Sequence, residues 1–259
     1  MLRSAANGAS DPRDMASFPL VPYSNRIAQG RFAIGTARYS LAKTWANEQH
    51  PLHGVGMLLP WDVAEIGRDT LLLRLSYRGD GNWPFAFAAE QRIMVSTDGL
   101  ALDLSVTSLH GQDAPAAFGH HPYFDADGAT LRFAARRIWS NGPDGLPATP
   151  MTPSDDFDFA DGPGVAGRSV DHCYTGWNGA AEIDWLGRPL RLAIEASVSL
   201  PAAVVFIPDS GDFFCFEPVP HLTDAVNRPE CETPMPMLVP GETCSARIRM
   251  QALPARGRP

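Results

Sequence analysis

A chain of 259 residues with a net charge of −8 is long enough for one large domain, and its acidity excludes recognition of phosphate backbones and adsorption to anionic membranes. Hydrophobic residues make up 44%, enough for a real core, while 23 Gly, 24 Pro and only 19% charged residues favour short strands and many turns over long helices. Cys173, Cys215, Cys231 and Cys244 contain no Cys-x-x-Cys spacing, which excludes a zinc knuckle and a dithiol redox motif.

The first residues lack the 7–15-residue apolar stretch of a signal peptide, and no run approaches the ~20 apolar residues of a membrane span. A cytoplasmic protein with reduced thiols is expected. Strands are predicted at "RFAIGTARYS" (31–40), "TLLLRLSYR" (70–78), "FAFAAEQ" (85–91) and "QRIMVS" (91–96). In "LALDLSVTSL" (100–109) Leu100, Leu102, Leu104 and Val106 alternate with polar residues at period two, which no helix does. Asp98-Gly99, between two of these runs, predicts a tight hairpin of type I′. Residues 140–167, rich in Pro, Gly and Asp, read as a long surface loop, either a binding element or an ordinary excursion. "EIDWLGRPLRLAIEA" (182–196) predicts a second hairpin around Gly187-Arg188, with Leu190, Leu192, Ile194, Ala196 and Val198 on one face. "AVVFIP" (203–208) and the C-terminal alternation of Ala246, Ile248 and Met250 with Arg247, Arg249 and Gln251 complete the set. The expected fold is all-β, a large antiparallel β-sandwich, with residues 1–259 as a single domain.

Five short stretches carry side chains capable of chemistry: "YSNRIAQGRF" (23–32), "HPLHGVG" (50–56), "GHHPYF" (119–124), "VDHCYTGW" (170–177) and "CFEPVPHLTDAVN" (215–227). Glu217 ends an apolar run, so it is either a rim residue in a salt bridge or a buried carboxylate that needs a partner such as histidine. His120 and His121 are adjacent in an extended segment, so they face opposite ways. His121, held extended by Pro122, is either a core histidine bonded to a carbonyl or the working member of the pair, with Tyr123 and Phe124 as an apolar wall. His120 is read as structural. His50 and His53 flank a turn made by Pro51 and Gly54, which argues against a metal pair and for His53 as a ligand contact. Arg26 is either a structural ion-pair partner or a planar fork for vicinal hydroxyls or a carboxylate. Asp171-His172 suits an ordinary turn equally well.

Taken in this order, "NRI", "HPLHG", "GHHPYF", "VDHCY" and "CFEPV" resemble the successive signature blocks of the aldose 1-epimerase (galactose mutarotase) family, over about residues 11–249. The resemblance implies a galactose mutarotase-like β-sandwich with an active cleft across one sheet. It implies Glu217 as general base and His121 as general acid, with Arg26, His53 and Asp171 holding the sugar. The reaction would interconvert α and β anomers: Glu217 takes the C1 hydroxyl proton while His121, on the opposite side of C1 and kept protonated by a nearby carboxylate, protonates the ring oxygen. No metal and no organic cofactor is needed. The implied partner is a small-molecule sugar, with no nucleic acid and no membrane, and the chain is a monomer or homodimer. "NRI" arrives early for this family, which implies either a start further upstream or a missing first hairpin with an open edge. Alternatives are a hexose-6-phosphate 1-epimerase of the same fold, for which Arg132, Arg136, Arg137 and Arg168 are the available cations, and a non-catalytic carbohydrate-binding or sensing module. A cupin-type metal enzyme requires His-x-His spacing that "GHHPYF" lacks.

Overall fold

A computed structural model describes residues 2–5 and 7–256. Among the described residues nineteen strands, numbered in chain order, form two large antiparallel sheets and two small ones. The first sheet runs β1 (Ser17–Leu20), β9 (Gly119–Asp125), β17 (Phe213–Val219), β16 (Ala202–Ile207), β13 (Val170–Thr175), β11 (Arg137–Asn141) and β12 (Pro147–Met151). The second runs β10 (Ala129–Arg132), β14 (Ala180–Trp185), β15 (Leu190–Ala196), β19 (Thr243–Pro254), β7 (Gly99–Ser108), β6 (Phe87–Ser96), β5 (Thr70–Tyr77) and β4 (Asp62–Ile66). The small sheets are β18 (Met237–Leu238) with β8 (Ala114–Pro115), and the hairpin of β2 (Arg31–Ile34) and β3 (Ala37–Ser40). Every pairing between these strands is antiparallel, as the sequence predicts for this fold class. Among the described residues no helix is long and apolar enough to cross a membrane.

The two sheets differ in how they meet solvent, and their sequences differ accordingly. In β19 buried Ala246, Ile248 and Met250 alternate with exposed residues, the mark of a sheet wet on one face. The central strands β16 and β17 are covered on both faces, so "AVVFI" and "FFCFEPV" are buried almost throughout and show no alternation. Phe124, Phe214 and Phe216 point into the inter-sheet core, all fully buried, leaving the opposite face of β9 and β17 for other uses.

Three local expectations are corrected. The β6–β7 connection is tight, but Ser96 pairs with Gly99 and neither Thr97, Asp98 nor Gly99 has positive φ, so the turn is not type I′. Gly99 is required by close approach instead: a Cβ there would sit 2.2 Å from the Met250 carbonyl oxygen of β19. Gly99→Ala is therefore expected to cost about 1–3 kcal/mol through displaced pairing, visible as a lower urea midpoint. On β15 the apolar face ends at Ala196; Val198 is 99% exposed, because the ladder to β19 closes at Ser197, whose hydroxyl in place of its carbonyl accepts from the Arg247 amide. Residues 140–167 are no featureless loop: β12 folds back on β11, and Phe159 and Val165 are anchored in the core.

Candidate active site

The register of four neighbouring strands places the chemistry-bearing residues on one face. Cys215 of β17 is opposite Tyr123 of β9, and continuing the antiparallel register by two residues sets Glu217 opposite His121. On the other side Cys215 pairs with Phe206 of β16, and Phe206 pairs with Asp171 of β13. One row across the sheet thus reads Tyr123, Cys215, Phe206, Asp171; the next reads His121, Glu217, Val204, Cys173. Period-two alternation alone brings His121, Glu217 and Asp171, from three distant stretches of chain, onto the floor of one cleft.

Loops supply its walls. Residues 21–30 contribute Asn25 and Arg26, and the turn at 50–54 contributes Leu52 and His53. Phe18 on β1 and Arg13, Trp45 and Glu48 complete a cleft of about 180 Å³ open to solvent. Larger hollows lie elsewhere, on the wet face of the second sheet and beside the β2–β3 hairpin, lined by surface side chains. All five sequence-predicted site residues (Arg26, His53, His121, Asp171 and Glu217) line the same cleft.

His121 Nε2 lies 3.2 Å from Glu217 Oε1, with both side chains buried. The imidazole packs against two rings: Phe18, its cross-strand neighbour on β1, stacks at 4.6 Å, and Tyr123 lies tilted at 4.6 Å, with 6.0 Å between those two rings. His53 meets it edge-on at 5.1 Å. The cross-strand geometry fixes how His121 and Glu217 stand relative to each other. They stand side by side, because directly opposed side chains on adjacent strands share one face.

The charge expectation is corrected. Burial lifts Glu217 well above the usual carboxylate range, helped by the Asp171 charge and opposed by Arg26. Burial pushes His121 down to about 3. A carboxylic acid beside a neutral imidazole holds one proton with no net charge, and desolvation favours that form over the separated ions. Carboxylate and imidazolium hold the same proton, so the two forms differ only in where it sits.

The supporting shell explains the loop conformations. His53, at φ +63°, accepts a hydrogen bond on Nδ1 from the Asn25 amide at 3.1 Å, and its own amide donates to the Asn25 carbonyl at 3.0 Å. Burial holds its pKa well below 6.5, so the ring is neutral and the remaining Nε2 carries the proton as a donor. Arg26 Nη1 pairs with Asp171 Oδ2 at 3.0 Å, both partly exposed, and the Asn25 side chain accepts from the Arg26 amide at 2.9 Å. The tip of the β11–β12 hairpin packs on this guanidinium: a Cβ at Gly145 would lie 2.8 Å from Arg26 Nε. The segment predicted as a loop thus reaches the cleft at one point.

Other expectations sort by face. His120 points away from the cleft, buried, with its pKa lowered to about 4. Phe124 belongs to the core rather than to the cleft wall. His50 is buried and accepts from the Gln29 amide at 2.9 Å, shaping the loop. Arg132, Arg136, Arg137 and Arg168 line none of the cleft; Arg137 pairs with Glu232 at 2.9 Å and Arg132 donates to the Ala160 and Asp161 carbonyls. Sequence reasoning missed Phe18 and Trp45, which sit in unremarkable contexts, and His221, whose Nε2 accepts from the Ser24 amide at 3.2 Å and holds the loop before Asn25. It also missed Cys215: the ring nitrogen of His121, the Cys215 sulfur and a Glu217 oxygen all lie within 4.8 Å of one another.

Fold and cleft together define a β-sandwich whose buried carboxylate–imidazole pair opens on a small cavity lined by both charged and aromatic side chains. A family profile described as aldose 1-epimerase matches residues 2–251, and the chain belongs to that family. It is 28% identical over 248 residues to the uncharacterized protein YphB of Escherichia coli K12, covering 92% of this chain and 84% of that protein. A crystal structure of a candidate aldose 1-epimerase from Escherichia coli K12 superposes with a TM-score of 0.90 at 27% identity, over 97% of this chain and 88% of that one. A galactose mutarotase-like protein from Clostridium acetobutylicum shares the fold, with a TM-score of 0.79 at 20% identity over 91% and 79% of the two chains.

Proposed function

We propose that the protein is an aldose 1-epimerase that interconverts the anomers of a free, unphosphorylated aldose, with Glu217 as base and His121 as acid. The observation that carries this reading is the His121–Glu217 pair, 3.2 Å apart on the cleft floor. C1 of a cyclic aldose bears two oxygens, the anomeric hydroxyl and the ring oxygen, close together on one carbon. Side-by-side groups match that demand. In the ionic form of the pair, Glu217 takes the hydroxyl proton as His121 gives one to the ring oxygen; the C1–O5 bond breaks and C1 becomes the aldehyde. The pair is left as carboxylic acid and neutral imidazole. After rotation about C1–C2 the ring recloses on the other face: His121 takes the O5 proton back and Glu217 returns a proton to O1. Ring opening and closing therefore swap the two one-proton forms of the pair, and no proton enters from solvent.

Neutral His53 offers an Nε2–H donor, and the Arg26–Asp171 pair offers both donors and an acceptor, for hydroxyls elsewhere on the ring. The aromatic rings of Phe206 and Trp45 in the cleft wall suit its C–H face. The cations of the cleft are matched by acids: Arg26 with Asp171, and Arg13 with Asp11 at 2.6 Å. A neutral sugar fits this balance better than a phosphorylated one. Asp171→Asn is expected to raise KM about 10-fold with kcat changed far less, since it removes hydroxyl binding common to ground and transition states.

The reading is tested by magnetisation-exchange NMR between anomeric protons of galactose, glucose, arabinose and glucose 6-phosphate, with catalytic amounts of protein. Enhanced exchange confined to unphosphorylated sugars is expected. Enhancement only with the phosphate ester would replace the free aldose by a sugar phosphate, and none with any sugar would favour a binding module.

A further inference from the structure

We propose that the floor of the cleft is also a binding site for a thiophilic divalent cation of the Zn²⁺ class, held by a His121 ring nitrogen, the Cys215 sulfur and a Glu217 carboxylate oxygen. The three donor atoms lie within 4.8 Å of one another, a spacing that modest side-chain rotation closes onto one ion. Strand register builds the set: Cys215 and Glu217 are two apart on β17 and share its face, and His121 is the cross-strand neighbour of Glu217 on β9. Two further atoms of the set are left without partners. Glu217 Oε2 and His121 Nδ1 are both buried and make no hydrogen bond. An unpaired buried oxygen beside a thiol and an imidazole is a costly arrangement that a cation would relieve.

The donor chemistry selects the ion. Nitrogen, sulfur and one oxygen suit Zn²⁺ and exclude Mg²⁺ and Ca²⁺, which require oxygen shells. Three protein ligands leave a fourth position on the cleft side for water. Charge closes as well. The thiol and the one-proton pair are together neutral; binding M²⁺ releases the thiol proton and the shared proton, leaving thiolate, carboxylate, neutral imidazole and a dication, again neutral. No electron is transferred, and no net charge is buried.

The ion would occupy the lone pairs that must carry the reaction's proton. Inhibition by Zn²⁺, relieved by a chelator, follows from this and rests on the epimerase reading; binding itself does not. The test is therefore spectroscopic. Co²⁺ is titrated into the full chain, following the thiolate-to-cobalt band in the near ultraviolet and the visible bands of a tetrahedral site. Wild type is expected to give both, reversed by EDTA. Cys215→Ser should lose the near-ultraviolet band and weaken Co²⁺ binding by about 100-fold. His121→Asn, a second variant in case the first does not fold, should lose the tetrahedral visible bands. No thiolate band in wild type, or the same band in folded Cys215→Ser, would overturn the proposal. Co²⁺ uptake by a protein that accelerates no sugar would remove the epimerase reading and leave the metal site standing.

Discussion

Glu217→Gln is expected to lower the enzyme-catalysed rate of anomer exchange by about 10²–10⁴-fold while leaving the fold intact or more stable. Both halves follow from the position of one carboxyl. Gln keeps the shape and can donate and accept hydrogen bonds, but it cannot take the hydroxyl proton, so the loss falls on kcat. For stability the sign comes from linkage. The folded-state pKa of Glu217 is raised, so its contribution is fully present below its unfolded pKa, near 4.5, and is lost as pH rises through the folded value. Above about pH 5 wild type therefore carries a penalty that Gln lacks, and the melting temperature of Glu217→Gln should exceed that of wild type by a margin that widens toward neutral pH. His121 has the opposite sign: its folded pKa is depressed to about 3, so its contribution is present above about 6.5 and fades as pH falls toward 3. Thermal melts of wild type, Glu217→Gln and His121→Asn from pH 4 to 8 separate the two. A Glu217→Gln protein that melts lower than wild type at pH 7 would mean that the carboxyl stabilises the fold as an ion.

Gly54→Ala should be the most damaging single methyl in the molecule's functional half, costing about 2–5 kcal/mol. Gly54 sits at φ +71°, where a Cβ is strained in any surroundings, and here that Cβ would fall 2.3 Å from the Val21 carbonyl oxygen and 2.6 Å from its carbon. The contact cannot open cheaply, because the same oxygen accepts hydrogen bonds from the amides of Val55 at 3.0 Å and Gly56 at 2.9 Å. The melting temperature should fall by roughly 4–20 °C. Because this turn also sets the φ of His53 and its hydrogen bonds to Asn25, whatever folded protein remains should bind sugar more weakly. Differential scanning calorimetry with isothermal titration of the sugar reads both effects.

The strands were legible wherever one face meets water. β7 and β19 announce themselves because alternation is the chemical image of a half-wet sheet. β16 and β17, buried on both faces, show no alternation and were read instead from short apolar runs, "AVVFIP" and "FFCF" before Glu217. The five candidate residues that line the cleft were visible through ordered blocks of sequence, each a short polar interruption. What stayed hidden is set by register. No local pattern says that Glu217 falls opposite His121, that Phe18 stacks on that ring, or that the Cys215 sulfur comes within 4.8 Å of it, because those contacts join segments about 100 residues apart. The protonation state was hidden for a related reason: a nearby carboxylate argues for an imidazolium only in a wet site, and burial reverses that preference. The type I′ turn was misread because Asp-Gly fits it, whereas Gly99 answers to a carbonyl on another strand.

The most direct measurement is polarimetric mutarotation of freshly dissolved α-galactose, α-glucose and an arabinose anomer, comparing wild type with folded Glu217→Gln and His121→Asn. Acceleration of at least one sugar by wild type, lost in both variants, is the predicted result. Acceleration that survives in either folded variant would contradict the assignment of base and acid to this pair, and its absence in wild type would contradict the epimerase reading itself.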